Sequence, residues 1–390
     1  MNQADLKARY DAVMMNAFGV PKRVFARGEG IHLWDTDGNR YTDLLSGLAV
    51  NALGHAHPGV TTAVAGQLDQ LGHVSNFFAS EPQIRLAERL AAFTGVEPTR
   101  VFFTNSGTEA NEAAFKLTRL TGRTKVVVME GSFHGRTMGA LALTSNPKYR
   151  EPFEPLPGEV FFVPFGDESA LRAAVDNRTA AILLETVQGE NGVVPAPEGF
   201  LAAARRIADD AGALLWIDEV QTGLGRCGDY LAHRADGITA DLITMAKALG
   251  NGFPIGACLA TGRAAELLHP GQHGTTFGGN PVAAAAGNAV LDALESGVLE
   301  NARATGAWLV RALGELSHPQ ILEVRGRGML LGIVLREEIA ARVSDDALDA
   351  GWVINAPRPS VLRVAPPLIA TPEDLAGFVD ALPALLDGHG

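Results

Sequence analysis

Cysteine is nearly missing: Cys227 and Cys258 are the two in 390 residues, both in apolar or glycine-rich surroundings. Two such thiols make neither a disulfide framework nor a cysteine-built zinc site, and they fit a reducing compartment. Positive charge is in deficit as well, with Lys+Arg 32 against Asp+Glu 44, a net −12 and a pI near 5.3. That balance repels a phosphate polyanion rather than recruiting one by counterion release, so no nucleic-acid partner is expected. No run approaches the roughly 18 to 20 apolar residues that a membrane span needs. Met1 to Tyr10, polar and mixed in charge, lack the apolar core and small-residue cleavage site of a secretory signal. The expectation is a soluble cytoplasmic protein without a membrane partner.

Apolar material, by contrast, is ample: 47% of residues are hydrophobic and 19% charged, with a mean hydropathy of +0.10. Such a chain builds large packed cores, and its length accommodates two or three domains. Short aliphatic runs alternate with Ala/Leu-rich helical stretches, the pattern of a parallel, doubly wound α/β sheet. Strands are expected over 100–103, 125–129, 180–185, 213–218, 241–245 and 255–259. Most are continuous apolar runs, as strands covered on both faces are. Ala110, Ala113, Ala114 and Leu117 share a helical face, Gly122 is placed to stop that helix, and another is expected over 199–211. Asp37-Gly38 marks a hairpin turn between 31–34 and 40–42. An Ala-rich helix leads away from Pro281, with short strands following near 330–335 and 361–364. The expected organisation is a large α/β domain over 45–290 and a smaller α+β domain built from 1–44 and 291–390.

Three motifs mislead. Gly223-Leu224-Gly225-Arg226-Cys227-Gly228 matches the dinucleotide glycine pattern, but too few residues precede the break at Asp236-Gly237 for the crossover helix that the motif must open. The strand ending in Asp218-Glu219 looks like a Walker B strand, yet no Gly-rich loop ending in Lys-Ser or Lys-Thr accompanies it. His55 and His57 suggest a metal pair, but adjacent carboxylates and a third ligand are missing, so a turn before a helix at Val60 is expected.

Three other features converge. Thr104-Asn105-Ser106-Gly107-Thr108-Glu109 lies between a strand and a helix, where free backbone N–H groups and the helix dipole suit a phosphate; an ordinary N-cap is the alternative. Asp218 ends an apolar strand at the carboxyl edge of the expected sheet, where a carboxylate needs a cationic partner such as a pyridinium nitrogen. Lys247, flanked by Ala246, Ala248 and Leu249, loses solvation there, which favours the neutral amine that forms an imine. A snorkelling lysine is the alternative for that feature taken singly. Together they describe a phosphate cup, a pyridine anchor and a Schiff-base lysine.

The stretch from Trp216 through Gly223 to Asp241 through Lys247 resembles the pyridoxal phosphate (PLP) signature of class III aminotransferases, including the separation of Asp218 from Lys247. The resemblance extends through Gly54 to Pro58, Ser106 to Glu112, Phe133-His134-Gly135-Arg136-Thr137, Glu185 to Glu190, Thr275 to Pro281 and Leu362 to Pro367. It implies the fold type I of PLP-dependent transferases, with a mostly parallel sheet in the large domain. Within that family the chain is most similar to the acetylornithine aminotransferases of arginine biosynthesis. This implies N2-acetylornithine, 2-oxoglutarate and glutamate as ligands. Ornithine, succinylornithine, succinyldiaminopimelate and 4-aminobutyrate are alternative donors, an aminomutase of the same fold is a further reading, and a PLP-binding regulator without turnover is the non-enzymatic one.

The resemblance also implies roles. Lys247 holds PLP as an imine and then moves the substrate proton; Asp218 keeps the ring nitrogen protonated. Phe133 and Val220 cover the two ring faces, and Gln221 binds the phenolic oxygen. Ser106, Gly107 and Thr108 hold the phosphate, with Thr276, beside the substrate residue Thr275, reaching it from the other subunit of a homodimer. Arg136 and Arg363 bind substrate carboxylates, and Glu190 pairs with Arg363 when its carboxylate ligand is absent. Ala79 stands where many relatives carry tyrosine, and Gly47 where ornithine aminotransferases do, which implies room for an acetyl group. Arg325-Gly326-Arg327-Gly328 is expected as a solvated turn.

Overall fold

In the computed structural model, which describes residues 2–388, seven strands form the central sheet. Their order is Thr99–Thr104, Gly256–Thr261, Leu242–Met245, Leu214–Asp218, Thr179–Glu185, Lys125–Met129 and Glu159–Val163. Six match the expected strands closely. The seventh, Glu159–Val163, is an edge strand with Phe161 43% exposed, so it lacks the two-sided burial that makes a strand legible. The sheet is mostly parallel, as expected, and its one exception is Gly256–Thr261, which runs antiparallel to both neighbours. The chain between Met245 and Gly256 holds only a short 3₁₀ turn, Lys247–Gly250, where a parallel return would need a crossover of a dozen or more residues.

Alternation along the buried strand Leu214–Asp218 sends neighbouring side chains to opposite faces. Leu215 and Ile217 join the core beneath helix Phe200–Ala211, through Ala204 and Ile207; Leu214 and Trp216 join the one beneath helix Gly107–Arg119, through Ala113, Ala114 and Leu117. A fully buried strand therefore sits at the middle of the sheet with its C-terminal end open to the loops. Thr104, Asp218, Glu185, Met129 and Met245 end their strands at that one edge, the place where open α/β sheets collect ligands.

The expected hairpin forms, with His32–Asp35 against Arg40–Asp43. Asp35 Oδ1 accepts from the N–H groups of Asp37 and Asn39, at 3.0 and 2.9 Å, and Gly38 takes φ +89°. Trp352–Val353 adds to this sheet in parallel beside Arg40–Asp43, so sequence-distant ends share one layer. A second four-stranded sheet holds Ile321–Arg327, Leu330–Leu335, Val361–Val364 and Asn355–Arg358. The Arg325-to-Gly328 tract is thus largely strand, not a solvated turn: Arg325 donates to the carbonyls of Gly192 and Val193, and Arg327 pairs with Asp236 at 2.8 Å.

The helical run Pro281–Gly314 is, by length and composition, apolar enough to cross a membrane, which corrects the expectation that no segment is. Its alanine content raises the hydropathy, while its N-terminal part packs on helices Pro58–Gln70 and Glu81–Thr94, as a core helix does. Backbone at Ser296 and Gly297 interrupts the run. His55 Nε2 lies 2.8 Å from Asp43 Oδ2, a carboxylate too distant in sequence to be counted, and His57 leads into the helix at Pro58. Gly223 to Gly228 form successive turns without a crossover helix, and both cysteines are buried and free.

Candidate active site

The open edge of the sheet bounds a cavity of about 380 Å³ whose lining includes Ser106, Gly107, Thr108, Phe133, Arg136, Asp218, Val220, Gln221 and Lys247. Asp218 stands at its floor, 3% exposed. Its Oδ2 receives Asn111 Nδ2 at 2.9 Å and lies 2.7 Å from His134 Nδ1, and its Oδ1 accepts from Val220 N–H at 2.9 Å. A buried carboxylate is costly unless so partnered. Asn111, one helical turn inside Gly107–Arg119, and His134 escaped the sequence reading; only the known position of Asp218 would have revealed them, since the contact spans 107 and 84 residues.

Lys247 follows the strand Leu242–Met245 in a left-handed conformation, φ +45°. A side chain bearing Cβ pays of order 1 to 3 kcal/mol for such backbone, and residues held this way concentrate at functional sites. Burial pushes the Lys247 amine below its ordinary value; the Glu190, Asp218 and Glu185 carboxylates oppose that shift, and Arg363 reinforces it. Glu185, at the end of the neighbouring strand, is also buried and lines the cavity. Desolvation pushes its carboxyl up to about 7 against the pull of His134, with Asp218 adding to the rise. Its oxygens accept from Phe133 N–H at 3.3 Å and Gly189 N–H at 3.4 Å.

At the N-terminus of helix Gly107–Arg119, Ser106 Oγ accepts from Glu109 N–H at 3.2 Å, so the N-cap alternative is realised. Capping does not remove the cup, because it takes one N–H of the first turn, that of Glu109, while Gly107 and Thr108 line the cavity. A Cβ on Gly107 would lie 2.8 Å from Val220 Cγ1, which makes glycine the residue that lets this backbone approach Val220. Thr108 Oγ1 lies 2.8 Å from Thr137 Oγ1, and Thr137 donates to Glu112 Oε1 at 2.6 Å. Asn111 Nδ2 also holds the His134 carbonyl, at 2.7 Å, so the loop carrying Phe133 and Arg136 is tied to this helix at His134 and at Thr137.

The hairpin Val187–Gln188 to Val194–Pro195 carries Glu190, and the strand Val361–Val364 carries Arg363. Arg363 Nη1 donates to Glu190 Oε1 at 2.6 Å and to Gln221 Oε1 at 3.1 Å, and its Nε donates to Asn355 Oδ1 at 3.0 Å. Arg363 is 1% exposed and its Nη2 has no hydrogen-bond partner among the described residues. Burial raises the Glu190 carboxyl, but the charges of Arg363 and Lys247 outweigh it and hold that group below its ordinary value. Thr275 and Thr276 are not brought to Lys247 within one chain. They border a separate depression with Asn76, Phe77 and Gln83. Neither Gly47 nor Ala79 lines the cavity; Val50, three residues beyond Gly47, does.

A carboxylate, a desolvated lysine and a glycine-built helix N-terminus around one cavity match the ring nitrogen, aldehyde and phosphate of PLP. The Aminotransferase class-III family profile matches residues 15–386. Over 383 residues the chain is 56% identical to the acetylornithine aminotransferase of Mycolicibacterium smegmatis, covering 98% of each chain. Among solved structures, an ornithine aminotransferase from Toxoplasma gondii, with partial occupancy of PLP at its active site, superposes with a TM-score of 0.94 at 29% identity, covering 99% of this chain and 94% of that one. The N-acetylornithine aminotransferase of Stenotrophomonas maltophilia gives 0.81 at 35% identity, covering 98% of each. The chain belongs to the class-III aminotransferases. It is a PLP-dependent transaminase with the type I fold of that family.

Proposed function

We propose that the chain transfers the δ-amino group of N2-acetylornithine to 2-oxoglutarate, giving N-acetylglutamate 5-semialdehyde and glutamate. The observation that carries this reading is the Glu190–Arg363 pair, 2.6 Å apart and joined by Arg363 to Gln221 of the Lys247 cavity lining, with Arg136 on that cavity making no ion pair among the described residues. An arginine that an internal carboxylate can neutralise suits a cycle whose two amino donors differ in where they carry charge. Glutamate offers its α-carboxylate to Arg363, displacing Glu190. The acetylated donor offers its carboxylate to Arg136 and leaves the internal pair closed. Similarity to a relative named acetylornithine aminotransferase supports the same choice of donor.

PLP, when bound, supplies an electron sink that stabilises the carbanion left by loss of a substrate proton. Lys247 Nζ, kept neutral more readily by burial, would be the amine that holds the bound cofactor, and once released it would take that proton and return it. Asp218, fixed by Asn111, His134 and the Val220 N–H, holds a proton on the ring nitrogen. Ser106, Gly107 and Thr108 bind the phosphate, Phe133 and Val220 flank the ring, and Gln221 binds the phenolic oxygen. Thr276, with Thr275 beside it, completes the phosphate site from a second subunit of a homodimer. Exposure of Phe77 at 93%, Phe78 at 71% and Phe277 at 59% around those threonines supports that assembly.

The test is a panel of amino donors with 2-oxoglutarate as acceptor. The reading expects the highest kcat/KM with N2-acetylornithine and glutamate as co-product. Preference for ornithine, a succinylated donor or 4-aminobutyrate would overturn the donor assignment and leave the transaminase chemistry in place.

A further inference from the structure

We infer that Tyr149 is a specificity-determining residue: it holds the Arg136 guanidinium by its face, leaving the N–H edge free for a substrate carboxylate. The inference rests on the reading of Arg136 as a carboxylate receptor and adds what orients it. Arg136 Cζ lies 3.5 Å from the centroid of the Tyr149 ring and 5.6 Å from that of Phe133. The two rings meet edge to face, 6.3 Å apart at 88°. A separation of 3.5 Å is van der Waals contact between two flat groups, so the contact uses the guanidinium's π-face and not its planar fork of donors.

Arg136 and Arg363 are therefore prepared differently. Arg363 spends Nη1 on Glu190 and Gln221 and Nε on Asn355. Arg136 makes no hydrogen bond or ion pair among the described residues, and rings are its only partners. It sits on an exposed loop, where a free arginine would lose rotamer entropy on gripping an anion. A ring already stacked on it removes part of that loss. Both sides of the stack are seated independently. Tyr149 lies in the short helix Pro147–Arg150, whose Asn146 side chain accepts from Lys148 N–H at 3.1 Å. The Arg136 loop is tied to Asn111 and Glu112. Phe133 and Arg136 line the cavity whereas Tyr149 stands behind them, so it acts on substrate through Arg136.

The experiment compares PLP-loaded wild type with Tyr149→Leu, Tyr149→Phe, Arg136→Ala and the double variant Tyr149→Leu/Arg136→Ala. Readouts are kcat and KM for N2-acetylornithine, and the Kd of glutarate, a dicarboxylate that cannot react, by calorimetry. Tyr149→Leu is expected to raise both KM and Kd about three- to tenfold with kcat within about twofold. Tyr149→Phe keeps the ring and should match wild type. The double variant should be no weaker than Arg136→Ala, because the ring has no cation left to orient. Unchanged KM and Kd in Tyr149→Leu, with both raised in Arg136→Ala, would overturn the inference and leave the role of Arg136 standing. Unchanged values in Arg136→Ala would overturn that role and the inference with it. A loss confined to kcat, or additive losses in the double variant, would make Tyr149 structural and overturn the inference as well.

Discussion

Two carboxylates beside Lys247 behave differently because their neighbours differ. Glu190 faces Arg363 and is held ionised, so Glu190→Gln removes the charge that closes the arginine. The expected outcome is unequal half-reactions in stopped-flow measurement: glutamate spared or improved, N2-acetylornithine slowed about tenfold or more. Equal effects would mean that Glu190 is no gate. Glu185 has no cationic hydrogen-bond partner among the described residues, and burial raises its carboxyl from the ordinary 4.5 to about 7, with His134 and Lys247 opposing and Asp218 assisting. Between those values the folded chain keeps a proton that the unfolded chain has released. The associated stability is therefore full below 4.5 and is lost as pH rises through about 7. Chemical denaturation of the PLP-free protein should show wild type losing roughly 2 to 4 kcal/mol relative to Glu185→Gln across that window. A difference that is flat with pH would place an ionised Glu185 in the folded state.

Helix Gly107–Arg119 serves as a cap, a cup and a support. Its first turn borders the cavity, Asn111 holds Asp218, and Glu112 receives Thr137 and the N–H groups of Gly139 and Ala140. Gly107 is where these demands leave no space, since an added Cβ would meet Val220 at 2.8 and 3.0 Å. Gly107→Ala should shift Val220 and the first turn together and weaken PLP retention about tenfold, measured by titrating PLP-free protein with PLP. Unaltered affinity would show that the turn yields without disturbing the cup. The hydrophobic periodicity of this helix was legible, as was Asp218 closing a fully apolar strand. The clash at Gly107 was not, because Val220 reaches it only after the sheet brings two distant loops together.

At the scale of the molecule, the chain described here has Lys247 and Thr276 on different depressions. A homodimer that joins them predicts complementation between two inactive variants. Lys247→Ala subunits mixed with Thr276→Glu subunits should recover up to about a quarter of wild-type turnover, because one site of each hybrid dimer then holds both native residues. No recovery after subunit exchange has been demonstrated by native mass spectrometry would exclude shared sites.

Local chemistry in the sequence by itself determined the strands that are buried on both faces, the hairpin at Asp37-Gly38, and the Asp218, Lys247 and Ser106-to-Thr108 positions at element ends. These follow from periodicity, turn propensity and the desolvation of charge, all properties of short segments. Tertiary structure alone decided that Gly256–Thr261 runs antiparallel, that Arg325 to Arg327 form a paired strand, and that Asn111, His134, Glu185 and Tyr149 support the site. Each of those outcomes depends on the length of a connection or on a partner far away in the chain. Only the folded molecule supplies that proximity, and with it the local dielectric and geometry that give these residue types their function.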